Sequence, residues 1–312
     1  MKIHSYLLKN NEGDLVSVLN YGARLHRWQT LVDGKQRDIV LALDDVEDYL
    51  NDGCYLGAIA GPYANRIKYA QINSEQLCAQ LVANEGRNML HGGNEALDKQ
   101  FWKVKSQSDN FIGFTTTLAD GYNGFPGAVS FEVDYLLEGS ELIINLRASS
   151  EKTTVVGPTG HAYFNLCGQN SKVFEHSLML NSEQMTPVDE QNIPTGEICN
   201  VHSTVFDFRK FKPLSALQDT SLDHNFMINE NQDNLCAVLK SPANDLSLSV
   251  YTDYPAMQVY DGKYLVAPFR ENQGICIEPQ FPPNAPNQKG FPFEFTSPEK
   301  PFAKTIRYKL TK

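Results

Sequence analysis

The chain has no long apolar run, no excess of positive charge and no paired-cysteine motif, and each lack removes a class of protein. Among its 312 residues no hydrophobic stretch approaches the ~20 residues that a membrane helix requires. The N-terminal MKIHSYLLKNNEGD has neither an apolar core nor a small-residue cleavage site, so it does not read as a signal peptide. Lys and Arg number 27 against 37 Asp and Glu, a net charge of −10. Such a surface repels phosphate backbones and anionic lipid, which argues against nucleic acid and membranes as partners. The six cysteines, at 54, 78, 167, 199, 236 and 276, form no C-x-x-C pair and mostly neighbour apolar or aromatic residues. They read as reduced, mostly buried thiols in a reducing compartment, the cytoplasm.

Catalytic signatures are missing too. The seven histidines show neither H-x-H nor H-E-x-x-H spacing, which gives metal binding little support. There is no Walker loop, no strand–GxGxxG–helix unit and no G-x-S-x-G elbow. Phosphoryl transfer, hydride transfer and serine hydrolysis therefore lack their usual equipment. No segment sustains a helical apolar pattern over three turns.

What is present is alternation. Val16–Leu19, Asp38–Leu43, Phe111–Leu118, Val129–Leu137, Leu142–Ala148, Leu246–Tyr251 and Thr305–Leu310 are short, rich in β-branched or aromatic residues, and mostly closed by Gly, Asn, Asp or Pro. LEGSELIINL reads as two strands around a Gly-Ser turn. Short helical turns fit near Asp45–Tyr49 and Pro213–Leu217. The pattern predicts one all-β domain over residues 1–312, an antiparallel β-sandwich of two packed sheets with few short helices.

Seven loop-like islands carry polar catalytic residue types, Gly or Pro, several of them both: GPYANRI (61–67), LHGG (90–93), GFPG (124–127), PTGHAYFNL (158–166), LDHNF (222–226), AMQVY (256–260) and ICIEPQFPPNAPN (275–287). Glu278 follows an apolar strand and precedes Pro279, which restricts it to extended geometry. A carboxylate at the buried end of a strand is either a general base or half of an ion pair. His161, among aromatics, is either a satisfied core residue or a proton donor suited to neutral pH. The glycines after His91 allow a ligand close to the backbone. Arg66, next to Asn65, offers a rigid fork for hydroxyls or a carboxylate. Asp223 can accept hydroxyl protons or cap a turn, and Gln258, on an apparent strand, needs a partner if it faces inward.

Together with IPTGE (193–197) and FDFR (206–209), these segments resemble the aldose 1-epimerase (galactose mutarotase) family, in the family's order, from about Tyr21 to near the C-terminus. The resemblance implies a galactose mutarotase-like supersandwich with an open cleft, an isomerase acting on a free aldohexose such as galactose or glucose, and no metal or organic cofactor. It implies Glu278 as base and His161 as acid, with Asn65, Arg66, His91, Asp223 and Gln258 binding the sugar. The sequence departs from the family at Pro62, Gly160, Ala256 and Pro283, where Arg, Asn, Gly and Asp are usual. A hexose-6-phosphate 1-epimerase, a non-catalytic carbohydrate-binding sandwich and a glycoside hydrolase stand as alternatives, and either a monomer or a homodimer is compatible with the sequence.

Overall fold

A computed structural model describes residues 1–312. A nine-stranded antiparallel sheet runs in the order Lys103–Gln107, Phe111–Leu118, Val129–Glu138, Glu141–Ser150, Phe302–Thr311, Ser247–Thr252, Leu235–Lys240, Ser177–Leu180 and Lys212–Pro213. A six-stranded sheet follows the order Tyr163–Phe164, Ile275–Gln280, Ala256–Tyr260, Asp223–Met227, Gln184–Thr186 and Cys199–Asn200. The first 38 residues add a four-stranded meander. Every helical element is a short 3₁₀ turn. The all-β expectation holds.

The long hairpin of the larger sheet forms where alternation is strongest. Val129–Glu138 and Glu141–Ser150 pair in register from Val129 opposite Ser150 to Glu138 opposite Glu141. Gly139 and Ser140 are left as the turn, with Gly139 in the left-handed region. One face buries Phe131, Val133, Tyr135, Ile144 and Leu146. That face meets the six-stranded sheet, as Phe164 packs on Tyr308 with ring centroids 5.0 Å apart. Residues of both sheets share one core of 62 buried side chains. Burial of that extent is the main stabilising term, at about 25 cal/mol per Å² of apolar surface.

Three local expectations change. The Asp38–Leu43 strand stops at Asp38. Ile39 to Leu43 cross, fully buried, from the meander to the six-stranded sheet. There the Ile39 N–H bonds the Trp28 carbonyl and the Leu41 N–H bonds the Tyr163 carbonyl, and a segment serving two sheets cannot keep one ladder. The two expected helical turns form at Val46–Asn51 and Leu214–Leu217, with Asp45 and Pro213 as their N-caps, and five further 3₁₀ turns were not expected. Only Cys236 and Cys276 are buried. Cys54 and Cys199 are half-buried, and Cys78 and Cys167 are exposed. Cys78 lies on a mostly exposed edge strand and Cys167 on a loop, where neighbouring sequence says little about depth.

The segment before His161 is tied to the meander through Gly57. Its carbonyl accepts from the Leu25 N–H at 2.9 Å and its N–H donates to the His161 carbonyl at 3.0 Å. Its φ is +65°, and a Cβ there would collide with the Leu25 carbonyl oxygen. Gly57→Ala is expected to cost about 1–3 kcal/mol, read as a lower urea midpoint with unchanged slope.

Candidate active site

The six-stranded sheet has two unlike faces. Register places Phe226, Met257 and Pro279 side by side, with Val259 beside Ile277 on the same face, and these enter the core. The opposite face carries Asn225, Gln258 and Glu278 in one row and Asp223, Tyr260, Cys276 and Tyr163 in the next. A strand buried on both sides, as Ile275–Gln280 is throughout, can therefore offer polar groups to a cleft while its other face is locked by packing.

That cleft is a cavity of about 360 Å³, within the range of small-ligand sites. Asn65, Arg66, His91, His161, Asp223 and Glu278 line it. Six of the seven residues singled out in the sequence thus meet in one place. Gln258 sits a layer behind, its Nε2 donating to Asp223 Oδ1 at 2.6 Å.

Glu278 is 2% exposed and its Oε2 has no hydrogen-bond partner in the protein. It lies 3.7 Å from His161 Nε2. Burial drives both groups toward neutrality. It pushes the Glu278 carboxyl well above the ordinary range, with Asp223 adding to the rise, and it lowers His161 to about 4. Carboxylate neighbours favour a charged imidazole. Desolvation outweighs them here, and the carboxylate that does raise His161 is Asp52.

His91 is also held neutral, first by burial and then by His161 and Arg66. The Asn65 N–H donates to its Nδ1 at 3.2 Å, so the ring proton sits on Nε2 as a donor. Asn65 adopts φ +63°, which asparagine tolerates better than most residues. Arg66 grips Glu85 through Nε and Nη2 at 2.7 and 2.8 Å and lies 3.9 Å from Asp223. It is mostly buried and holds a partner the sequence did not reveal.

Other pocket residues were also missed. Tyr55, with φ +56°, packs on His91 at 4.5 Å and on His161 at 5.8 Å between ring centroids. Its loop is shaped by Asp52, which accepts from the Cys54 and Leu56 N–H groups and pairs with buried Arg24 at 2.6 Å. Tyr163, Tyr260 and Tyr264 complete the walls. None carries a local sequence signal. Cys276 does, since period two puts it on the face of Glu278. Of the departures, Gly160 points away from the cleft, because a Cβ there would approach Ile144 and Tyr308.

His161, Cys276 and Glu278 have potential ligand atoms within 4.8 Å of one another. Cys276 Sγ, however, approaches Nδ1 at 3.6 Å while Glu278 approaches Nε2. The two ring nitrogens point apart, so the trio is a line through the imidazole and does not converge on one ion. The arrangement suits proton transfer: an unpartnered carboxylate beside an imidazole, with neutral donors and a fixed arginine around a polar cavity.

A family model described as aldose 1-epimerase matches residues 4–309. A galactose mutarotase from Bos taurus is 36% identical over 292 residues, 89% of this chain and 85% of that protein. An aldose 1-epimerase from Haemophilus influenzae is 37% identical over 297 residues, 90% and 87% of the two chains. The crystal structure of an aldose epimerase homologue from C. elegans superposes with a TM-score of 0.95 at 27% identity, covering 99% of both chains. That of a galactose 1-epimerase from Lactobacillus acidophilus gives 0.86 at 31%, covering 99% of this chain and 98% of that one.

Burial of Glu278 has a consequence for stability. With its pKa raised above 4.5 in the folded chain, the folded state holds a proton that the unfolded state releases, so stability falls as pH rises past the ordinary carboxylate range. Glu278→Gln removes this cost. It is expected to raise the melting temperature at pH 8 by about 2–4 °C for each kcal/mol relieved, with the gain vanishing near pH 4. Calorimetry across that range checks it, and a gain that grows toward acid would contradict the burial argument.

Proposed function

The chain belongs to the aldose 1-epimerase family, and on that premise we propose that it opens and recloses the ring of a free aldohexose such as galactose or glucose, with Glu278 as base and His161 as acid. The reaction class is an isomerisation, exchange of the α and β anomers of an aldose. The observation that carries the residue assignment is the unpartnered Oε2 of Glu278, 3.7 Å from His161 Nε2 on the wall of the cavity.

A cyclic aldose is a hemiacetal. Opening it takes a proton from the anomeric hydroxyl O1 and puts one on the ring oxygen O5 as the C1–O5 bond breaks. Glu278, as carboxylate, takes the O1 proton, and His161 gives its proton to O5. The product is an aldehyde with a free O5 hydroxyl. After rotation about C1–C2, His161 takes the O5 proton back, O5 attacks C1 from the other face, and Glu278 protonates O1. The enzyme returns to its starting state and no atom or electron is gained.

This cycle needs one proton on the pair. The neutral pair that burial favours and the ion pair that starts the cycle hold the same number and differ only in its location. A sugar that places its O1 hydroxyl against Oε2 supplies the hydrogen bond that the carboxylate lacks and favours the ionised arrangement. His91 Nε2–H, Arg66 and Asp223 are the groups to hold the remaining hydroxyls, with Gln258 fixing Asp223, so that both transfers coincide.

A hexose 6-phosphate is the weaker reading. Arg66 is the one basic side chain on the pocket wall besides the two neutral histidines, and Glu85 already engages it. A non-catalytic sugar-binding sandwich has no use for a buried carboxylate that costs stability. The six free thiols accord with a cytoplasmic setting.

Optical-rotation decay of freshly dissolved α-galactose and α-glucose tests the assignment. Glu278→Gln and His161→Gln should each lower kcat by roughly 10²–10⁴-fold while the fold is retained by circular dichroism. A loss smaller than about tenfold in either would remove that residue from its role. Galactose 6-phosphate and glucose 6-phosphate, run beside the free sugars, should turn over more slowly.

A further inference from the structure

On the free-aldose reading above, we propose that Glu85 is a positioning residue that also sets specificity: by holding two nitrogens of Arg66 it turns the third, Nη1, to Asp223 across a gap that a sugar hydroxyl bridges and an ionised phosphate does not.

A guanidinium presents its N–H groups in one rigid plane, so fixing one edge fixes the rest. Arg66 Nε and Nη2 donate to Oε2 and Oε1 of Glu85 at 2.7 and 2.8 Å, and Nη1 stays outside this bidentate pair. The Arg66 side chain is 12% exposed, and a cation so enclosed needs a carboxylate beside it. Glu85 is itself anchored by its backbone. Its N–H donates to the Asn88 carbonyl at 3.1 Å, and its carbonyl accepts from the Asn88 N–H at 2.9 Å. The buried Asn88 side chain accepts from the Tyr69 N–H at 2.9 Å and donates to Gln191 at 3.0 Å. The clamp is thus built on a tight turn tied to two other segments.

The far side of the gap is equally constrained. Gln258 Nε2 donates to Asp223 Oδ1 at 2.6 Å. Asp223 Oδ2 then lies 3.9 Å from Arg66 Nη1, too far for a direct hydrogen bond. A hydroxyl between them accepts from Nη1 and donates to Oδ2, and a hydroxyl does both at once. An ionised phosphate oxygen only accepts. It meets like charge on Asp223 and Glu85, and the arginine fork that recognises phosphate is already filled.

The test follows exchange between the anomers of galactose and of galactose 6-phosphate by NMR, for wild type, Glu85→Gln and Glu85→Asp, with inorganic phosphate as inhibitor and melting curves to check folding. Wild type should favour the free sugar and resist phosphate. Glu85→Gln should raise KM for galactose about tenfold with a smaller change in kcat, because Glu278 and His161 are untouched. It should also shift kcat/KM toward the phosphorylated sugar by about tenfold or more and make inorganic phosphate a competitive inhibitor. Glu85→Asp, which keeps the charge, should keep the discrimination. An unchanged preference in folded Glu85→Gln, a lower kcat there with KM unchanged, or a Glu85→Asp that admits phosphate would each overturn the proposal and leave the free-aldose reading standing. A wild type that already prefers the phosphorylated sugar, or accelerates neither exchange, would bring down that reading and this proposal with it.

Discussion

The site depends on one unmet hydrogen bond. Glu278 is carried into the protein on a strand whose other face is core, and one oxygen of its carboxylate finds no donor there. A buried carboxyl with an unpartnered oxygen destabilises a fold, and it persists here because Ile275 and Ile277, packed among 62 core side chains, leave the strand no freedom to turn it outward. The same packing that makes the carboxyl costly holds it in place on the cavity wall.

The surroundings answer to that constraint. Neutral or committed groups ring the carboxyl. His161 and His91 are kept uncharged by burial, Arg66 is tied to Glu85, and Asp223 is held by Gln258. A free cation against Glu278 would satisfy its charge and lower its basicity. Leaving the immediate partners neutral keeps any fixed cation from neutralising Glu278, as the acid–base cycle proposed above requires. The support lies outside the strand. The Arg24–Asp52 pair shapes the loop of Tyr55, and Tyr55 in turn packs on both imidazoles.

The chain itself made much of this legible. Alternation marked the long strands because their side chains face core and solvent in turn, and the Gly139–Ser140 turn was readable because two residues suffice there. The polar islands were visible because residues such as Asn65, His91 and Glu278 stand beside Gly or Pro with no apolar pattern to absorb them. Asp38–Leu43 misled, since a run buried between two sheets looks the same in sequence as a strand. Glu85 and Tyr55 left no trace, because their importance lies in what they touch across the cavity.

The sequence by itself determined the all-β architecture, the family and the residue types available for proton transfer, because period-two patterning and short motifs are local properties of the chain. Only the tertiary structure decided that Glu278 and His161 face each other, that both are driven toward neutrality, and that Cys276 stands at the far nitrogen of the imidazole. Those are matters of distance and desolvation between segments more than a hundred residues apart, and only the packed sheets bring such segments together.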